Sequence, residues 1–256
     1  MDLKNKILSI NYRGEKQRNF FHFHRNALIK LFFVIIFPHI NLTKNNLYLL
    51  TKLNSKTEII ITINGSGPQN ILSQKYNNTL PDIILVNGKQ EEPKKIVNMT
   101  EKENNVTMIW NSQITSCEQM FAFCNNLTTI NFVDFDTSLV TSMRMMFINC
   151  DSLISLDLSG FNTSSVETMY AMFYGCSSLD SLDLSSFNTN KVYDMYSMFY
   201  GCRTLTSLDI SSFNTSLITT MEGMFHDCSS LTTLNLSNFN TKSVRSMKVS
   251  FYNCLS

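Results

Sequence analysis

The 256-residue chain is poor in charge, glycine and proline. Only 16% of its residues are charged, and they leave a formal net charge of +1. That balance excludes a nucleic-acid binder that works by neutralising phosphates. Eight Gly and four Pro exclude a collagen-like or low-complexity linker chain. Seven Cys are too few for a small disulfide-stapled scaffold. Of four His, three (His22, His24, His39) fall before residue 40 and only His226 lies beyond. No nucleophile–base–orienter set can be assembled at a workable spacing, and there is neither a P-loop nor a dinucleotide fingerprint. The expectation is a protein that is not an enzyme, with no cofactor and no metal site. His22 and His24 read as incidental to a basic leader.

What the chain does have is 43% hydrophobic residues, enough at this length to bury a core as one large domain or two small ones. Their positions are periodic. Cys124, Cys150, Cys176, Cys202, Cys228 and Cys254 are each 26 residues apart. Phe121, Phe147, Phe173, Phe199, Phe225 and Phe251 precede a Cys by three. Met143, Met169, Met195, Met221 and Met247 precede it by seven, with Cys117 in that slot of the first copy. Met120, Met146, Met172, Met198 and Met224 precede it by four, and Leu127, Leu153, Leu179, Leu205 and Leu231 follow it by three. A fixed period of this size marks a repeat array, of about five and a half copies over residues 113–256.

Each unit carries two patterns. Leu179, Leu182, Leu184 and Phe187 give L-x-x-L-x-L-x-x-F, whose L-x-L centre has the period of a short strand with one buried face. Val166, Met169, Met172, Phe173 and Cys176 have the spacing of one helical stripe. Asn162, Thr163 and Ser164 stand before it as caps, and Ser164 with Glu167 has the form of a capping box. The expected fold class is α/β: a solenoid with one parallel strand and one helix per 26-residue repeat. A single unit cannot bury its apolar face, whereas stacked copies can.

The string L-x-x-L-D-L-S-x-F-N-T-x-x-V-x-x-M-x-x-M-F-x-x-C, clearest over Leu179–Leu231, resembles the leucine-rich repeat of BspA-like surface proteins. The resemblance implies a leucine-rich-repeat solenoid displayed outside the cell, used for adhesion or recognition and without a catalytic site. The first copy departs from it, with Ile130, Asn131 and Phe132 for L-D-L, and reads as a capping repeat. After Cys254 no polar closing unit follows, which reads either as a truncated product or as a frayed last coil.

Residues 1–40 read as a basic leader with a signal or anchor segment. Seven Lys/Arg against two acids in residues 1–30 precede the apolar run Leu31 to Phe37, which is too short to span a membrane. The competing readings are a buried strand or an upstream start codon read as coding. This segment is the only route to membrane association that the sequence offers. Residues 57–63 and 82–86 read as strands, each followed by a turn signal, Asn64-Gly65 and Asn87-Gly88. They predict a small β-rich module over 57–112, packed on the first repeat through Ile109 and Trp110; the alternative is a partly ordered leader. Charge divides the same way: residues 1–112 carry +7 and residues 113–256 carry −6.

Nine N-x-S/T sequons, at Asn41, Asn64, Asn77, Asn98, Asn105, Asn126, Asn162, Asn214 and Asn235, are compatible with a secreted glycoprotein. Asn162 and Asn214 also fit turn and cap hydrogen bonding. The Cys column reads as buried thiols rather than a disulfide ladder, because helical layers stack too widely to bridge.

Two faces are candidate binding surfaces. The outward strand face carries Ser155, Asp157 and Ser159, then Ser181, Asp183 and Ser185, then Ser207, Asp209 and Ser211. It can hydrogen-bond a polar ligand such as a glycan or peptide, or bind Ca²⁺; it can equally be a solvated face that keeps the sheet soluble. Tyr170, Tyr174, Tyr196 and Tyr200, on or beside the outer helical face, are candidate anchors or half-buried packing. The expectation is a non-catalytic cell-surface or secreted recognition or adhesion protein, binding a protein or glycan and no nucleic acid. The alternative is an intracellular interaction scaffold built on the same solenoid.

Overall fold

The computed structural model describes residues 57–254, all within one compact unit. The basic leader of residues 1–40, with His22, His24 and His39, lies outside the described residues. Ten strands follow in order: β1 Thr57–Asn64, β2 Gly67–Asn70, β3 Ile83–Val86, β4 Lys89–Glu91, β5 Ile96–Met99, β6 Glu103–Trp110, β7 Leu127–Asp134, β8 Ser155–Leu156, β9 Ser207–Leu208 and β10 Thr233–Leu234.

One six-stranded sheet has the order β4-β3-β6-β1-β7-β8. Strand β1 alternates strictly: Ile59, Ile61 and Ile63 are fully buried while Glu58, Ile60 and Thr62 face outward. It lies between β6 and β7, antiparallel to both, with Ile61 opposite Val106 on one side and Ile130 on the other. The first repeat is thereby joined to the preceding strands by a shared sheet and a shared core that includes Trp110 and Phe121. Asn87 and Gly88 close the β3–β4 hairpin with positive φ values of 49° and 79°, as a two-residue turn between right-twisted strands requires. Asn104, fully buried, is satisfied throughout: it donates to the carbonyls of Gly65 and Glu101 and accepts from Asn87 Nδ2 and the Glu101 amide. Segment 73–78 lies against the first coil, with the Ser73 amide on Met120 O at 2.9 Å and Asn78 Nδ2 on Ser116 O at 3.2 Å.

The expected strand-plus-helix leucine-rich-repeat solenoid does not form. Among the described residues there is no helix. Where the helix was expected, residues 169–176 make two consecutive β-turns, closed by the Met172 amide on Met169 O (3.2 Å) and the Cys176 amide on Phe173 O (3.1 Å). The third residue of each turn is left-handed, Ala171 at φ 50° and Gly175 at φ 72°. The alternate amides, of Met169, Ala171, Phe173 and Gly175, leave the coil and bond the carbonyls of Asp194, Tyr196, Met198 and Tyr200, at 2.7–3.0 Å. A helix would keep those donors on its own carbonyls four residues back. A chain of four-residue turns and one face of a helix both place apolar side chains at i and i+3, so the stripe does not discriminate between them.

The same substitution of turns for helix accounts for the other corrections. The capping box is absent: the Ser164 amide and hydroxyl both bond Asn162 Oδ1, and the Glu167 amide goes to Thr141 O. The wide helical layers expected to keep cysteines apart are absent as well. Coils instead follow one another at hydrogen-bonding distance, with parallel bridges Ser116–Ser142–Thr168–Asp194–Thr220–Ser246. After β7 in the first unit, the strand of each later unit shrinks to one or two residues. β7 pairs in parallel with β8, β9 with β10, and Asp183 with Asp209.

In-register stacking fills the interior with columns of like residues. The Phe121, Phe147, Phe173, Phe199 and Phe225 rings stack at 5.7–5.8 Å, tilted by 6–8°. Each such pair contributes about 0.5–1.5 kcal/mol beyond the area it buries. From Cys150 onward, each thiol of the column donates to the Phe carbonyl of the preceding coil, as Cys176 Sγ does to Phe147 O at 3.2 Å. Burial raises these thiols; Cys124, Cys176 and Cys228 are each pushed up to about 12. A second column, Thr137, Thr163, Thr189 and Thr215, is 1% exposed at every member. Each of its hydroxyls both donates to and accepts from the main chain of an Asn 25 residues on.

Candidate recognition faces of the repeat stack

The outward strand face is built by alternation. Leu156, Leu158, Leu182, Leu184, Leu208 and Ile210 point inward and are buried. Between them Ser155, Asp157, Ser159, Ser181, Asp183, Ser185, Ser207 and Asp209 are exposed, and Ser211 is half-buried. The structure therefore brings the nine predicted strand-face residues into three rows that run along the stack.

The Asp row has an occupation of its own. Oδ1 of Asp157, Asp183 and Asp209 each accepts the amide of the Ser two residues on, at 2.9 Å, forming an Asx-turn that ends the strand. Asn235 does the same with Ser237. These bonds hold all three carboxyls below the usual range. For Asp157 the Ser159 hydroxyl is the larger cause, and for Asp183 and Asp209 the amide of the following Ser is. Repulsion from Asp183 opposes the effect at Asp157 and Asp209 and is outweighed. The carboxylates are thus ionised at neutral pH and lie in a line along the stack. No group of three His, Cys, Asp or Glu among the described residues could hold a metal ion.

The hydroxyl row beside them is less committed. The Ser155 and Ser207 hydroxyls make no hydrogen bond within the described residues, and Ser181 Oγ donates to its neighbour Asp180. The row continues into the large sheet, where Ser155 is paired with Thr129 and Thr129 with Thr62. There Thr129 Oγ1 donates to Thr62 Oγ1 at 3.0 Å, which donates to Asn105 Oδ1 at 3.1 Å.

The four tyrosines form two half-buried stacks on the turn segments. Tyr170 lies on Tyr196 at 4.9 Å, with the Arg144 guanidinium 3.8 Å from the centre of the Tyr170 ring. Tyr174, Tyr200, His226 and Tyr252 stack in succession at 4.3–4.9 Å. Burial and the neighbouring Tyr200 raise the Tyr174 phenol. Stacking takes up one face of Tyr174 and Tyr196 and both faces of Tyr200, and Tyr170 lies between Tyr196 and the Arg144 guanidinium. The sequence reading missed the Thr column and the left-handed positions. The recurring F-N-T and the Gly, Asn or Asp before each Cys from Cys150 onward were the signals.

A family model matches residues 94–207 and again residues 180–256. The chain belongs to the family described as Mycoplasma protein of unknown function, DUF285. No curated protein and no solved structure matches the chain. The two matches overlap over 180–207, as an internally repeated chain allows. The first begins at residue 94 and so takes in β5 and β6 as well as the coils.

Proposed function

We propose that this member of the family is a non-catalytic recognition or adhesion protein of the BspA-like surface type, displayed at the cell surface or secreted. It binds a protein or glycan ligand through the outward strand face of its coils. The observation that carries the reading is the set of exposed, repeated hydroxyls, at Ser155 and Ser207, that no other described residue hydrogen-bonds. Groups needed only to build the coil are engaged: the Thr column clasps main chain and the thiols meet carbonyls. The repeat string that resembles BspA-like proteins supports display outside the cell. The Tyr stacks are secondary, since each ring already has at least one face taken up by a stacking partner.

Two measurements test this. A membrane-impermeant label applied to intact cells should reach the protein; recovery only from cytosol would exclude surface display. In a screen of glycans and purified matrix proteins, binding should fall when Ser155, Ser181 and Ser207 are changed to Ala. Undiminished binding would remove this face from the function.

A further inference from the structure

We infer that the ligand of this face is a linear polysaccharide without acidic groups, lying along the stacking direction across successive coils. The inference rests on the strand-face reading above and adds the class and orientation of the ligand.

Three successive coils present the same Ser-x-Asp-x-Ser triplet at the same place. A surface that repeats itself by one strand spacing, about 4.8 Å per coil, offers identical contacts only to a ligand that also repeats along one line. A linear polysaccharide does so, with a rise per sugar comparable to that spacing. A folded protein partner does not.

The hydroxyl row does not stop at the first coil: Ser155 is paired in the sheet with Thr129 and Thr129 with Thr62, where Thr129 Oγ1 donates to Thr62 Oγ1 and Thr62 Oγ1 to Asn105 Oδ1. The line available to a polymer is therefore longer than the repeat array alone.

These rows pair hydroxyls, which donate and accept, with carboxylates, which only accept from sugar hydroxyls. They contain no Lys or Arg and no aromatic ring. Ionised Asp183 and Asp209 repel a polyanion, and the aromatic and Arg anchors that concentrate binding energy in protein interfaces are missing. Each sugar gains only a small net hydrogen-bond energy, so affinity accrues from many contacts held on one chain.

The test is calorimetric titration of the full chain with cello-oligosaccharides of increasing length, a soluble neutral β-glucan, and polygalacturonate as the acidic comparator. The dissociation constant should fall at least about tenfold from dimer to hexamer, as linked weak contacts require, and then level off. Polygalacturonate should not bind. The triple variant Ser155→Ala, Ser181→Ala, Ser207→Ala should keep its melting temperature and lose at least about tenfold in hexamer affinity. Failure of every neutral polymer to bind, affinity independent of length, or an unaffected triple variant overturns the inference. The same variant assayed on purified matrix proteins separates the two claims. Loss of protein binding without any glycan binding removes the polysaccharide and keeps the face; loss of neither removes both.

Discussion

The hydroxyl of Thr163 lies 3.0 Å from the carbonyl oxygen of Asn188 and 2.7 Å from its amide nitrogen, so one buried side chain both donates to and accepts from the next coil. The clasp recurs from Thr137 to Asn162, Thr189 to Asn214 and Thr215 to Asn240. Thr163→Val keeps shape and volume but strands two main-chain groups. The expected cost is about 1–3 kcal/mol, with Thr163→Ser, which retains the hydroxyl, well below it. Denaturant unfolding of both variants checks this. A Val variant as stable as the wild type would show that the clasp contributes nothing.

Ala171 at φ 50° gives a prediction whose sign separates turns from helix. In the left-handed region an L-residue costs about 1–2 kcal/mol that glycine does not incur, so Ala171→Gly should stabilise. In a helix the same change would destabilise by about 1 kcal/mol. Gly175→Ala should be the more damaging reverse change. Besides φ 72°, its new Cβ would collide with Asn149 Oδ1, forcing that side chain out of place. Gly201→Ala, with the same φ but its nearest neighbour 3.6 Å away, should cost only the backbone strain. Thermal unfolding of the three variants ranks them.

These sites also mark how far the sequence could be read. The period, the buried columns and strands β1 and β3 follow from patterns that survive any local conformation, because a side chain repeated every 26 residues must occupy the same place in each coil. Whether Met169, Met172, Phe173 and Cys176 lie on a helix or on successive turns is not encoded in their spacing. The discriminating residues are the ones between them, above all Gly175 and Gly201. The columns also hold Met145, Ala171 and Ser197 at positive φ, residues with no sequence preference for it. Inter-coil hydrogen bonds override their local propensity, and those appear only once coils are stacked. The strand-face positions were legible from alternation. Their Asx-turns were not, since an Asp with Ser two residues on reads equally as a free carboxylate.

Asp183 and Asp209 should make stability fall on the acid side. Their folded-state carboxyls are held below the usual value by the Ser185 and Ser211 amides. The stability they confer is therefore present above the unfolded carboxyl range, about 3.9, and is lost as pH falls through the lower folded values. Asp183→Asn with Asp209→Asn keeps the acceptor oxygen and removes the titrating group. The double variant should lose less stability between neutral pH and pH 3 than the wild type. Equal losses would show that the Asx-turn carboxylates are not linked to folding.

The cysteine column predicts a sharp contrast in reactivity. Six of the seven thiols are buried and Cys254 is partly exposed. The buried thiols are raised by loss of water: Cys124 and Cys176 stand at about 12. At pH 8 a thiol at 12 is about one part in ten thousand thiolate, and the thiolate is the reactive form. Alkylation of the native protein should therefore modify Cys254 first and the others on the timescale of unfolding, whereas the denatured chain should titrate all seven at once. Mass spectrometry of partly labelled samples distinguishes these outcomes. Cys176→Ser tests the hydrogen bond separately: its hydroxyl can still donate to Phe147 O, so the loss should be smaller than that of Cys176→Ala, which leaves that carbonyl without its side-chain donor. If the alanine variant is the more stable, the column is held by packing alone.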